Sequence, residues 1–200
     1  MTERLPATRD GLAAAAAMLR AGAVVAFPTD TVYGVGVAAA RPERLGALYE
    51  LKRRPADLPI PMLVADLAQA TTAGWVADER AHALARRFWP GGLTLVLPGV
   101  GGTQAVRVPD HAVALALIAD AGPILATSAN ISGQPETLGA DEVLIAFATQ
   151  QDELAAVVDG GAVPGGEAST VLDLSVAPAR ILREGPVTRE QLAPIVELEP

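Results

Sequence analysis

Residues 23–36 read AVVAFPTDTVYGVG, and the fold turns on how this stretch is parsed. Val24, Val25 and Phe27 form a short apolar run of the kind that makes a buried strand. Pro28 breaks the run. Thr29, Asp30 and Thr31 follow as a hydroxyl-rich turn, then Tyr33 and two glycines, Gly34 and Gly36. Small donors, an acid and glycines that permit close approach are the materials of a ligand-site floor. Taken alone, the same residues read equally as a strand and an ordinary tight turn.

Working outward, Asp10 is placed to cap a helix running to Arg20, with Gly22 as its stop. Pro42 suits the first turn of a second helix, in which Leu45, Leu48, Tyr49 and Lys52 recur at helical spacing. Residues 62–64 read as a strand, Asp66 starts a short helix, and 77–88 reads as another helix. Strands are expected at 93–97 and 105–108, separated by a loop at 99–102. A helix over 110–121 leads into a strand at 124–126. That strand ends in a second polar turn, Thr127-Ser128-Ala129-Asn130-Ile131-Ser132-Gly133. A helix at 141–149, a strand at 156–158, two paired strands at 170–174 and 180–183, and a helix from Thr188 complete the chain. Helices and short strands alternate without repeats or long linkers, which predicts a single α/β domain over 1–200. The strand pair near the end predicts a mixed sheet.

Half of the 200 residues are hydrophobic and only 4% are aromatic, so the core is mostly Ala, Val and Leu. A formal charge of −8 argues against a surface coated in nucleic acid, while leaving room for a local basic pocket. The absence of cysteine removes disulfides, thiolate metal sites and cysteine nucleophiles. No N-terminal signal is legible, and a cytoplasmic protein away from the membrane is expected. Of fifteen basic residues, fourteen are Arg and one, Lys52, is Lys. A lone ammonium is a compact point charge that guanidinium does not replace. A cation at a helix end is equally what the helix dipole favours.

Several familiar motifs fail. The only Lys does not follow a glycine-rich turn, so there is no P-loop. Gly34-x-Gly36-x-x-Ala39 fits a dinucleotide pattern loosely, but residues 28–33 separate it from the strand end. Ser128, Ser132 and Ser169 lie in no nucleophile elbow. His82 and His111 are isolated and form no metal-ligand set.

Three features survive: the PTDTVYG turn, K-x-R at Lys52 and Arg54, and S-x-N at Ser128 and Asn130. Arg107, Ser169 and Arg183 join them at or near strands and turns. Neutral hydrogen-bonding turns together with several cations suit an anionic ligand with a polar body.

These residues resemble a known family, the YrdC-like threonylcarbamoyl-AMP synthases (TsaC). The resemblance covers about residues 20–185. It rests on PTDTVYGVG, KRRP, FWPGGLTLVL, AVRVPDH, ATSANISGQP, STVLDL and ILREG, in the family's order. It implies a twisted mixed β-sheet with flanking helices around a large concave cavity. It also implies formation of threonylcarbamoyl-AMP and pyrophosphate from L-threonine, bicarbonate and ATP, with Mg2+ accompanying ATP. The product would pass to a tRNA threonylcarbamoyltransferase, with at most weak direct tRNA binding.

Carried over by motif, Thr31, Arg107, Ser128 and Ser169 match positions that hold threonine, and Tyr33 and Thr29 belong to the same turn. Arg54, Thr103, Asn130 and Arg183 match the nucleotide side, and Thr137 approaches ATP. Lys52 and Arg54 are the expected catalytic cations, neutralising charge on the phosphates. Residues 160–167 are the candidate lid. The chain departs from many relatives at Arg53, where they carry Gly, and at Leu58 and Leu63, where longer ones carry Asn and His. Ending at Pro200, it resembles the short form of the family. Two other readings remain open: an RNA-binding or regulatory module without turnover, and carbamoyl-adenylate transfer on another substrate.

Overall fold

The computed structural model describes residues 1–55, 58–150 and 153–200. In chain order the elements are β1 (Glu3–Pro6), α1 (Arg9–Arg20), β2 (Val24–Pro28), β3 (Tyr33–Ala38), α2 (Leu45–Lys52), β4 (Met62–Leu63), α3 (Leu67–Thr72), α4 (Glu79–Phe88), β5 (Leu93–Gly99) and β6 (Gly102–Arg107). There follow α5 (Ala112–Ala121), β7 (Ile124–Ser128), α6 (Ala140–Ala146), β8 (Leu154–Asp159), β9 (Thr170–Asp173), β10 (Arg180–Arg183) and α7 (Arg189–Leu192). The elements gather into two compact units, one of residues 1–60 and 111–166, the other of 61–110 and 167–200.

In the first unit the strands run β1-β8-β2-β3-β7. β8 is parallel to both β1 and β2, whereas β3 is antiparallel to β2 and β7. Every residue of β2 and β3 is buried, as expected of strands covered on both faces. Helices α1 and α5 pack on each other and on β2. The helix α1 buries Ala15, Ala16 and Leu19, and α5 buries Leu117 and Ile118. Thr8, rather than Asp10, caps α1 by accepting from Gly11 N, and Asp10 sits in the first turn, where its charge suits the helix dipole.

Two strands differ from expectation. β1 is too short to carry a periodic signal, and its partner β8 lies at the other end of the chain. β3 begins at Tyr33 and runs through the two glycines expected in a turn. A Cβ on Gly36 would stand 2.5 Å from the Leu125 carbonyl oxygen and 2.8 Å from Ile124 Cγ2. The glycine therefore serves the approach of β7, not of a ligand.

In the second unit the strands run β4-β6-β5-β9-β10. β4 is parallel to β6 and β9 to β5, while β6 is antiparallel to β5 and β10 to β9. Leu93, Leu95 and Leu97 of β5 are fully buried. Asp66 and Asp78 cap α3 and α4 through their carboxylates. Thr188 and Gln191 form a reciprocal capping box at α7. The mixed α/β class read from the sequence is the class observed. Among the described residues no helix is long and apolar enough to cross a membrane.

Candidate active site

In the first unit the pairing of β3 with β7 sets Gly34 opposite Ser128. The Thr29–Thr31 turn and the Ser128–Asn130 turn therefore leave the sheet at the same end. Thr29 Oγ1 donates to Val32 O at 2.7 Å and accepts from Thr31 N at 3.3 Å, which closes the first turn. The two turns are laced together: Ala129 N donates to Tyr33 O at 2.7 Å, and Tyr33 N to Thr137 O at 2.9 Å.

Lys52 ends α2 and is 2% exposed. Its ammonium donates to Ser128 O, to Asn130 O at 2.8 Å and to Asn130 Oδ1 at 3.3 Å. The Lys52 carbonyl accepts from Ser132 N at 3.0 Å. Asn130 Nδ2 donates to Gln134 O at 2.6 Å and to Ile131 O at 3.2 Å, which fixes which end of the amide is oxygen. Ser128 Oγ gives its proton to Asn130 Oδ1 at 2.7 Å, so that hydroxyl has only lone pairs left to offer. Burial draws the Lys52 pKa down to about 8; Arg54 adds to the shift and Glu136 opposes it. At neutral pH the group is still an ammonium.

Other expected residues have mixed placements. Arg54 is half-buried and spans its own loop, with Nη2 3.2 Å from Pro59 O and Nε 3.4 Å from Leu58 O. Thr137 is buried, its hydroxyl on Ala129 O at 2.9 Å, so it braces the second turn. Tyr33, expected beside the substrate, is fully buried. Its phenol donates to Gly161 O at 2.7 Å and accepts from Gly160 N at 3.3 Å, and burial raises its pKa. The phenol thus tethers the start of the 160–167 loop. Val163 N, bonded to Leu138 O at 2.9 Å, is a second tether.

In the second unit Arg107 ends β6, is 9% exposed and donates through Nε to Gly91 O at 2.9 Å. Ser169 is buried just before β9, with its Oγ 2.7 Å from Thr94 Oγ1 on β5. Arg183 reaches Ser169 O with Nε at 3.0 Å and Nη2 at 2.8 Å, and Ser169 Oγ with Nη2 at 3.2 Å. Thr170 Oγ1 donates to Val187 O at 2.7 Å and accepts from Val187 N at 3.0 Å, which pins the segment after Arg183. Gly185 is needed there, since a Cβ would stand 2.4 Å from Ala168 O. Thr103 is exposed on β6 opposite Pro98. Of the departures, Leu58 is exposed and Leu63 is buried in β4 opposite Arg107.

Sequence reading overlooked Thr94, although it lies in a quoted motif, because its partner Ser169 is 75 residues away. Within each unit the chain offers an array of hydroxyls and cations. That chemistry suits polar, anionic ligands rather than a resident metal. Among the described residues no group of three or more His, Cys, Asp or Glu could hold a metal ion.

The family model Sua5_yciO_yrdC, described as "Telomere recombination", matches residues 17–185. A threonylcarbamoyl-AMP synthase of Bacillus subtilis is 41% identical over 98% of this chain and 59% of its own length. A Mycobacterium leprae relative is 37% identical over 95% of this chain and 90% of its own. The structure of Pyrococcus abyssi Sua5 complexed with L-threonine superposes with a TM-score of 0.87 at 36% identity, covering all of this chain and 63% of that one. The chain thus spans less than two thirds of the Bacillus and Pyrococcus relatives. With a model match across most of its length and these likenesses, the chain belongs to the Sua5/YciO/YrdC family.

Proposed function

We propose that this chain makes threonylcarbamoyl-AMP and pyrophosphate from L-threonine, bicarbonate and ATP. The observation that supports this best is the pair of hydroxyl turns, Thr29–Thr31 and Ser128–Asn130, emerging from neighbouring strands of one sheet. A relative in the same family is complexed with L-threonine, and others carry the name of this synthase.

In the reaction the threonine nitrogen bonds to the carbon of bicarbonate as water leaves, giving a carbamate. A carbamate oxygen then bonds to the α-phosphorus of ATP as the bond to pyrophosphate breaks. The protein's part is positioning and charge stabilisation, with no covalent intermediate required. Ser128 Oγ, its proton spent on Asn130, is an acceptor for an amino or hydroxyl group. Arg107 is suited to a carboxylate. The family motifs assign Arg54, Arg183, Thr103, Asn130 and Thr137 to the nucleotide, and Thr31 and Ser169 to threonine. A Mg2+ ion would come with ATP on phosphate oxygens and water, which needs few protein ligands. The adenylate would serve tRNA modification by a separate transferase.

The test is L-threonine-dependent pyrophosphate release from ATP in bicarbonate and Mg2+. Release with L-threonine and little with other amino acids is expected. A folded sample that releases none refutes the reading, and release indifferent to threonine points to another acceptor. Arg54→Ala should lower the rate on the order of a hundredfold or more without unfolding the chain.

A further inference from the structure

The lone lysine of a chain that otherwise uses arginine fourteen times is 2% exposed, at the end of α2. An ammonium has three N–H donors, and the three oxygens around this one are Ser128 O, Asn130 O and Asn130 Oδ1. Donors and acceptors match in number, so no donor is left for a phosphate. We propose that Lys52 is a positioning residue: it locks the Ser128–Asn130 turn and, through the Asn130 amide, fixes the Ser128 hydroxyl as an acceptor for the amino-acid substrate. The proposal rests on the synthase reading and reassigns the residue expected to neutralise phosphate charge.

The chain of hydrogen bonds carries this step by step. Asn130 Nδ2 is spent on the carbonyls of Gln134 and Ile131, so Oδ1 faces inward. There Oδ1 accepts from Lys52 Nζ and from Ser128 Oγ. With its proton directed at Oδ1, Ser128 Oγ has only lone pairs for a ligand. A threonine amino or hydroxyl group can donate to it, and a carboxylate cannot. The backbone is held by the same ammonium, through the carbonyls of Ser128 and Asn130, and by Ser132 N on the Lys52 carbonyl.

This geometry also explains why arginine does not stand here. Three acceptors converge on one small volume, and a tetrahedral ammonium can point a hydrogen at each. A guanidinium spreads its donors over a flat fork, needs more room and would direct some N–H groups at no partner. Buried donors without partners are costly, which is a physical reason for lysine rather than arginine at this position.

Three forms of the full chain test the proposal: Lys52→Arg, Lys52→Met, and Lys52→Cys alkylated with 2-bromoethylamine while unfolded and then refolded. The native chain has no cysteine, so alkylation places a lysine analogue at position 52 alone. Two readouts are taken: L-threonine binding by calorimetry without nucleotide, and amide hydrogen exchange over residues 127–133. Lys52→Met and Lys52→Arg should each weaken threonine binding about tenfold and speed exchange in the turn, although Arg keeps the charge. The alkylated form should recover both to within roughly threefold of the native chain. Adding Ser128→Ala to Lys52→Met should cost less than Ser128→Ala alone, because the two act as one unit.

Native threonine affinity and native exchange in Lys52→Arg would overturn the proposal. So would a Lys52→Met chain that loses only nucleotide binding. If Lys52→Met does not refold, the arginine and alkylated forms still decide. A native chain with no affinity for L-threonine would overturn the synthase reading instead, and the exchange measurements would separately decide whether Lys52 holds the turn.

Discussion

Arg53 stands in the left-handed region, with φ 48° and ψ 42°, one residue past the end of α2. Arg53 N donates to Glu50 O at 3.0 Å and Arg54 N to Tyr49 O at 2.9 Å, which closes the helix end. A residue with a Cβ pays about 1–2 kcal/mol there, which is the physical reason glycine is favoured at such a helix end. Glycine loses more chain entropy on folding, by about 0.4–1 kcal/mol, so Arg53→Gly should stabilise the protein by about 0.5 kcal/mol. A urea midpoint that falls would contradict the conformational argument. The neighbouring Lys52 sets a pH dependence. Its folded pKa of about 8 lies below the ordinary 10.5. Between those values the unfolded chain binds the proton that the folded chain has released, so stability rises with pH across that window, by at most about 3 kcal/mol. Below pH 8 the penalty is constant. Lys52→Met should lack the rise in urea titrations at pH 7.5–10. Above pH 10 the raised Tyr33 pKa acts in the opposite direction, because the folded state then keeps the extra proton.

In the first unit the approach of β3 and β7 depends on one glycine of two. Gly36 and Gly34 both lie in β3, two residues apart, yet they differ sharply. A Cβ at Gly34 would meet only ordinary contacts, at 3.5 Å from Thr29 Cγ2 and 3.6 Å from Phe27 Cε2 and Thr127 O. A Cβ at Gly36 would press on backbone oxygen. Gly36→Ala should therefore cost about 2 kcal/mol or more, and Gly34→Ala should be neutral or slightly stabilising. Equal urea midpoints for the two variants would contradict this account of β3 and β7. In the second unit Thr170 has an equivalent structural duty, since its hydroxyl both donates to and accepts from the backbone of Val187. Thr170→Val strands both backbone groups and should cost about 1–3 kcal/mol, read from the thermal transition. A variant that melts with the native chain would show that water replaces the hydroxyl.

The whole chain is interleaved: each unit is assembled from two separate segments of sequence. Cutting after Asp110 would leave β2 without β8 and β3 without β7 in the first unit, and β5 without β9 in the second. The 1–110 fragment should consequently show no cooperative urea transition by circular dichroism, because neither core can close. A sharp transition in that fragment would mean that one segment folds without its partner. The parallel β1–β8 and β2–β8 pairings join distant segments in the same way. Such contacts incur loop-closure entropy before they are rewarded, so slow folding is expected of this topology.

Local chemistry was readable from the residues alone. The apolar run of β2, the aspartate that starts α3, the strand pair β9 and β10, and the two hydroxyl turns are all consequences of neighbours within a few positions. The α/β class follows from their alternation, and the motifs in order pointed to the family. The glycines of β3 were misread because a missing Cβ signals a turn, a bulge or a close strand equally well, and only the position of β7 distinguishes them. The role of Lys52 was likewise decided in three dimensions. Its acceptors lie 76 and 78 residues away, and the pairing of β7 with β3 together with the packing of α2 on β3 brings that turn to the end of α2. Periodicity reports which face of an element is apolar. It carries no record of which distant oxygens a buried ammonium will meet, because that is fixed by the packing of the folded chain.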